Sequence, residues 1–415
     1  MVRTFFSDLT GANCRLGDQA LVSLSASEDI DADYDTASAV TIAPGGPCAK
    51  GAVVQSIEGG LSTGHWVIED PVVNRSGERT WRRRAGAGYA HVPLVAYHLR
   101  RKGYLEARAT LSKATCGADH YPPRFCTTQR YAQICAEIDA AYHSDKTISS
   151  QEALKRRRAW IPVHGAEYIF AQVCRWVGLA CQFDARLDCC ADEYQPLDKP
   201  AMTALREIAS WSGRSVFLDR SGVVHVFDWP EVFGRGGGHP WPAATLEEEI
   251  HDTLYRASHV TVVGHGYWHE TVTIPAQPDR EDPMHPGNIW PGHPAYTVSR
   301  YSKLVAVEVT EGLGGIEGSR PVVERIEIND YPISPTVAQR IARERLARIA
   351  IGGGISLWRG PAEGCQSVCP LATTATRVTR SLNWNGNAYR YEIEIAAPRT
   401  AITWGSGGWN ETGWW

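Results

Sequence analysis

Over residues 1–126 apolar and polar positions alternate in short runs. Residues 19–25, 39–42 and 51–58 are rich in Val, Ile, Leu and Ser and are separated by Gly-Asp and Pro-Gly-Gly turns. In the first run strict alternation puts Leu21 and Ser23 on one face and Val22 and Leu24 on the other. The series continues at 65–70 and 93–99. Strands this short and regularly spaced predict a small barrel or sandwich. Among them, Arg79-Thr80-Trp81-Arg82-Arg83-Arg84 runs into Ala85-Gly86-Ala87-Gly88 as a basic loop tip. Like charges this close stay solvated, so a partner-facing loop is preferred to a nucleic-acid contact, with Trp81, Arg82 and Arg83 as its contact residues.

The period lengthens at residue 127. Tyr131, Ile134, Cys135, Ile138 and Tyr142 share one stripe of a helix over 128–142. Tyr168, Ile169, Val173 and Trp176 do the same over 165–177, where Gly178 supplies a stop. A third helix is predicted over 198–213, with Asp198 as its cap, Pro200 in its first turn and Gly213 at its end. Residues 215–219 and 223–227 then form a hairpin around Asp219-Arg220-Ser221-Gly222. These elements define an α/β helix-hairpin domain at 127–233.

Gly234-Arg235-Gly236-Gly237-Gly238-His239-Pro240-Trp241-Pro242 is a linker on composition and sets a boundary at 234–245. A second β-barrel domain is expected at 246–334, from strand runs at 257–266, 303–309 and 323–328 around a Pro-rich excursion at 275–294. At 335–395 come a helix, with Val337, Ile341, Leu346 and Ile349 apolar and arginines opposite, and a hairpin flanking Asn385-Gly386-Asn387. Residues 396–415 form a Trp- and Gly-rich tail. The predicted fold class is α+β, mainly β: two small β-barrel domains, an intervening α/β domain and a C-terminal helix-hairpin element.

Composition narrows the function classes. With 415 residues, 43% of them hydrophobic, the chain can bury the cores of about two to four domains. A net charge of -4 is too small to attract nucleic acid or an anionic membrane by itself. No window approaches the roughly 20 apolar residues of a membrane-spanning helix, and the N-terminus lacks the apolar core of a secretion signal. A protein made in the cytoplasm, without integral membrane association, is expected. Fifteen Trp against 3 Met suggest large contact surfaces.

Several residues invite a chemical reading. Of the 11 cysteines, Cys365 and Cys369 lack the spacing of a zinc ribbon, and so do Cys116, Cys126 and Cys135. Vicinal Cys189-Cys190, beside Asp192 and Glu193, reads better as packed thiols than as a metal site. His265 and His269 share a strand face but lack the helical His-Glu frame of a metallohydrolase. Glu308, Glu311, Glu324 and Glu327 resemble a glycosidase pair less than the solvated face of strands. No nucleophile elbow or phosphate loop is present in the sequence. Hence no catalytic residue, metal or cofactor is assigned.

Taken in order, the helix and hairpin at 200–226, the strand entry His259-Val260-Thr261-Val262-Val263-Gly264, the Arg-rich helix and the final hairpin resemble the hub proteins of phage tails and contractile injection systems, the late-control D type. The resemblance spans much of 127–395 and lies in the order of the pieces. It implies a homotrimer with two barrels per subunit, forming a pseudo-sixfold ring that adapts a sixfold tail tube to a threefold tip. Implied partners are distal tail and tube proteins, tape-measure protein and a tail fibre or central spike, with DNA passing through the lumen without sequence-specific binding. The implied location is the virion tail tip, after assembly in the host cytoplasm. A trimer presents six similar surfaces only if each chain supplies two comparable modules, which the two β-rich halves offer. The excursion at 275–294 and the tail fall outside the resemblance. In the tail, Trp404, Trp409, Trp414 and Trp415 on a Gly-rich tether suit docking into a partner's grooves. Two rival classes are a cell-wall hydrolase on a β scaffold and a carbohydrate-binding adhesion protein.

Overall fold

The computed structural model describes residues 3–398 apart from 8–14, 18, 31, 33–34, 43–46, 59–60, 75–79, 83–88, 92–93, 118–123, 145–146, 231–244, 252–256, 291, 293, 313–321, 353, 362–376 and 385–388. It is mainly β. The first region contains β1 (Arg3–Ser7), β2 (Arg15–Leu16), β3 (Gln19–Asp29), β4 (Thr36–Ile42), β5 (Val53–Glu58), β6 (Leu61–Asn74), β7 (Thr80–Arg82), β8 (Tyr89–His91) and β9 (Leu94–Arg101). Pairing runs β3, β2, β1, β5, β6, β9, β4, and β4 pairs again with β3, so the ladder returns to its starting strand. Leu16, Leu21, Leu24, Val54, Trp66, Ile68, Val95, Tyr97 and Leu99 fill its core.

The alternation within β3 is broken. The register shifts between Leu21 and Ser23, and this bulge turns both Leu21 and Leu24 inward, where strict alternation would place them on opposite faces. The core also holds polar groups that satisfy one another: Gln19 Oε1 accepts from Thr41 Oγ1 and from the Tyr97 hydroxyl, each at 2.8 Å. Tyr97 in turn accepts from the Cys48 amide at 2.9 Å. Left unpaired, each would cost about 1–3 kcal/mol.

The middle region follows: α1 (Tyr104–Arg108), β10 (Arg124–Thr127), α2 (Thr128–Asp139) with a π turn (Ala140–Ser144), α3 (Ser150–Arg158), β11 (Trp160–Val163), α4 (Ala166–Val177), β12 (Ala180–Phe183), β13 (Glu193–Tyr194), α5 (Ala201–Ser210), β14 (Ser215–Leu218) and β15 (Val223–Phe227). Two small open sheets, β11-β10-β13 and β12-β15-β14, organise it. Helix α2 buries Ile134 and Ile138, and Thr127 Oγ1 caps it by accepting from the Arg130 amide. In α4 the inward face is Ala166, Ile169, Phe170, Val173 and Cys174, while the predicted Tyr168 is 49% exposed. Gly178 ends that helix at φ 78°. Asp198 does not cap α5. Its amide donates to the Leu111 carbonyl at 2.8 Å, and Pro200 occupies the cap position without a side-chain bond.

The last region comprises β16 (Thr245–His251), β17 (His259–Ile274), β18 (Arg280–Glu281), β19 (Ile289–Trp290), β20 (Tyr296–Gly312), β21 (Val323–Glu327), α6 (Pro335–Gly352), β22 (Gly354–Pro361), β23 (Arg377–Trp384) and β24 (Tyr389–Pro398). At the expected second barrel the described strands make an open sheet, β20-β17-β21. The excursion at 275–294 is the tip of the long β17–β20 hairpin, whose pairing extends to Ile274 opposite Tyr296. The final hairpin pairs through β23 with β3, Leu382 opposite Leu24, joining both ends of the chain in one sheet whose outer strand is β16. One apolar core spans the linker: Leu205, Ile208 and Val216 share it with Val260, Val262, Val307, Ile341 and Leu346.

Candidate functional site

The predicted contact residues are only partly described. Trp81 and Arg82 lie on β7, opposite Ala90 and Tyr89 of β8. Arg83, Trp404, Trp409, Trp414 and Trp415 lie outside the described residues, as do Cys365 and Cys369. The strand acids are not simply solvated. Glu324 pairs with Arg345 of α6 at 2.9 Å, and Glu311 accepts from Gln339 at 2.6 Å and faces Arg343 at 3.4 Å, so two of the four fasten α6 to its sheet. Glu308 is exposed, and Glu327 pairs along its own strand with Arg325.

Cys189 and Cys190 are buried, and burial pushes both thiols up to about 12. They therefore stay protonated, and Cys189 Sγ donates to the Pro332 carbonyl at 3.3 Å. A protonated thiol is a poor metal ligand and a poor nucleophile. Among the described residues no group of three or more His, Cys, Asp and Glu side chains is placed to hold a metal ion.

Two charged arrangements escaped the sequence. His225 of β15 lies between carboxylates, Nδ1 2.9 Å from Asp184 and Nε2 3.3 Å from Asp219. Burial pulls its pKa down, but the hydrogen bonds and charges of Asp219 and Asp184 outweigh that and raise it. With both ring nitrogens engaged, this imidazole braces the hairpin and has no nitrogen left for a substrate. Asp219 also accepts from the Ser221 and Val223 amides at 2.8 Å, fixing the turn that carries Arg220.

That turn meets the second arrangement, a buried junction between the first and middle regions. Arg101 of β9, 1% exposed, donates to Glu28 of β3 at 2.5 Å and to Asp35 at 3.1 Å, with its guanidinium 3.9 Å from the Trp66 ring centre. Arg220 reaches across to Glu28 at 3.0 Å. Backbones touch alongside: a Cβ on Gly103 would sit 3.3 Å from the Gly222 Cα. Burial drives the Asp35 carboxyl up to about 7, against the pull of Arg101 and with Glu28 adding to the rise. Two guanidiniums thus meet the Glu28 carboxylate and the Asp35 carboxyl group out of water, an arrangement that fixes geometry more than it adds stability.

A cleft of about 330 Å³ opens where all three regions meet, lined by Ile30, Arg206, Arg214, Glu344, Arg345 and Arg348 among others. Its arginines are already engaged: Arg206 with the Ala32 carbonyl at 2.9 Å, Arg214 with Asp228, Arg345 with Glu324, and Arg348 with Glu344 at 3.0 Å and over Trp229. Of these arginines, Arg206 joins the middle region to the first through Ala32, and Arg348 joins the last region to the middle one through Ser215 Oγ at 2.8 Å.

No family model and no curated protein sequence matches the chain. Solved structures do. The chain is similar to the 43 kDa tail protein of prophage MuSo2 from Shewanella oneidensis, at TM-score 0.52 and 10% identity, over 95% of this chain and 98% of that one. The fold is that of a phage tail protein. A tail protein from Neisseria meningitidis, at TM-score 0.47 and 10% identity, covers 91% of this chain and 92% of that chain. A prophage tail protein from Listeria monocytogenes, at 0.45 and 9%, covers 94% and 93%.

Proposed function

We propose that the chain is a structural, non-catalytic virion component of a phage tail, the hub at its distal tip. In this reading a homotrimer forms a ring that adapts a sixfold tube to a threefold tip and lines the channel for tape-measure protein and DNA. Its neighbours are distal tail and tube proteins and a fibre or central spike. The observation that carries the reading is the shared fold over nearly the whole of both chains with a prophage tail protein. The two-barrel description draws support in the first region from the pairing that returns to β3. The second barrel is proposed at 246–334, around the sheet β20-β17-β21. Trp81, Arg82 and Arg83, with the four tail tryptophans, are proposed as partner contacts, and the chain is proposed to divide into domains at 1–126, 127–233, 246–334 and 335–395, with a linker at 234–245 and a tail at 396–415.

The test is mass and position. Native mass spectrometry should give three times the 45.7 kDa chain, and particle images should show threefold density for it at one tail end. A monomer at every concentration, or density elsewhere, overturns the hub. The non-catalytic part predicts no clearing of host cell walls in zymograms. Clearing that disappears in Glu308→Gln would reinstate a hydrolase.

A further inference from the structure

The β17–β20 hairpin extends beyond the sheet that supports it. β21 pairs with β17 only over His259 to Val263, and among the described residues the last backbone bond to the body is the Ile333 amide to the His265 carbonyl at 2.8 Å. From Tyr267 opposite Lys303 to Ile274 opposite Tyr296, the described strands pair only with each other. Eight residue pairs at about 3.4 Å each make a ribbon of roughly 27 Å. A two-stranded ribbon with open edges is marginally stable in water and is a standing template for association.

Its tip is ordered although it buries almost nothing. The Asp282 and Asn288 amides bond the Asn288 and His285 carbonyls at 2.8 and 3.0 Å. Asp282 Oδ1 accepts from the Met284 amide at 2.8 Å, and Asp279 from the Gly292 amide at 2.6 Å. On this frame Met284 is 83% and Ile289 66% exposed. Asp279 and Glu281 stand exposed beside Arg280, while Asp282 is buried and bonded within the tip to the Met284 amide and to His285, so the exposed tip carries two carboxylates against one guanidinium beside two bare apolar side chains.

The complementary surface is on the same chain. Helix α3 buries Ala153 and turns Gln151, Leu154, Lys155 and Arg158 outward, at the i, i+3, i+4, i+7 spacing of one face. Leu154 is 49% exposed between the two cations.

From these observations we infer that the β17–β20 arm of one subunit docks its tip onto the outer face of α3 in a second copy, Met284 and Ile289 against Leu154 and the tip carboxylates against Lys155 and Arg158. Two different patches meeting head to tail form a heterologous contact, the kind that closes rings. Leu154 favours a protein partner over DNA, because an apolar side chain gains nothing from phosphate. This inference rests on the trimer of the proposed function.

The test uses the full-length protein. K155E/R158E should raise the concentration at which trimers dissociate about tenfold or more, and the added reversal E281K should recover part of that loss. A photo-crosslinking residue in place of Met284 should join subunits at the peptide 150–158. Circular dichroism melting should match wild type, since every altered side chain is exposed. If wild type is trimeric but the reversals leave dissociation unchanged, or the crosslinks map elsewhere, the arm contact is wrong and the trimer stands. A strictly monomeric wild type removes both.

Discussion

At the scale of single residues, the buried junction and an exposed pair of the same chemistry should behave differently. Glu28 is 2% exposed and accepts from both Arg101 and Arg220. Glu28→Gln takes from Arg101 and Arg220 the carboxylate they share in a dry site and should cost about 3–5 kcal/mol. Glu152→Gln removes an i,i+4 pair with Arg156 in which both partners are 40% exposed or more, and should cost no more than about 0.5 kcal/mol. Urea midpoints of the two variants decide this; equal shifts would mean the junction is wet. The junction also predicts a pH dependence. Asp35 has a folded pKa of about 7 against 3.8 unfolded, so its contribution is whole below pH 3.8 and is lost as pH rises through 7. His225, raised from 6.5, acts in the same direction, losing its contribution as pH climbs above that value. Asp219, lowered by its hydrogen bonds despite burial, contributes above 3.8 and loses this as pH falls through its folded pKa. The urea midpoint should therefore decline from about pH 5 to 8, and Asp35→Asn should flatten much of the decline. An unchanged slope in that variant would assign the decline to other groups.

At the scale of elements, two glycines that stop helices separate backbone conformation from packing. Gly178, at φ 78°, has open space where a Cβ would go, so Gly178→Ala should cost about 1 kcal/mol from the left-handed backbone alone. Gly213, at φ 61°, has the Ile341 amide nitrogen of α6 2.9 Å from that position. Gly213→Ala should exceed the Gly178 cost in thermal denaturation, because helix α6 has to move as well. Both stops were legible in the sequence, since glycine after a periodic run leaves few alternatives. So were the hairpin at Asp219 to Gly222 and the helices beginning near residues 128, 166, 201 and 335. Helix α3 was not: its run Lys155-Arg156-Arg157-Arg158 hides the period, and Ala153 is its single buried residue. The four-residue strands β10, β11 and β12 carry too few positions to show alternation. The α4 face differs in part: Phe170 and Cys174 join Ile169 and Val173 in the core, Trp176 packs against it as expected, and Tyr168 is turned outward. The His225 brace and the Arg101 junction depend on residues 41 and 73 positions apart, a relation that no local pattern encodes.

At the scale of the whole molecule, sequence legibility ends at strand partners. Both strands of the last hairpin were readable from their alternation around Asn385-Gly386-Asn387, but their docking against β3 brings together residues about 350 positions apart. The cost of closing such a loop grows only logarithmically with its length, so distance along the chain does not forbid the pairing and gives no hint of it. Its consequence is that the first region does not depend on its own strands alone. β3 pairs with β4 along one edge, while its other edge is shared by β2 and β23, the latter from Ser23 to Asp29. A chain ending after Pro361 loses β23 and β24 together, stripping β23 from that edge of β3 and leaving β22 paired with β16 alone. Deuterium uptake in peptides covering 19–29 and 354–361 should then rise on the order of tenfold in rate, while 166–177 and 201–210, in the separate core of α4 and α5, keep their protection. Protection of 19–29 unchanged by the truncation would mean the two ends of the chain fold independently. Loss of protection everywhere would mean that the sheet joining them is what holds all three regions to one another.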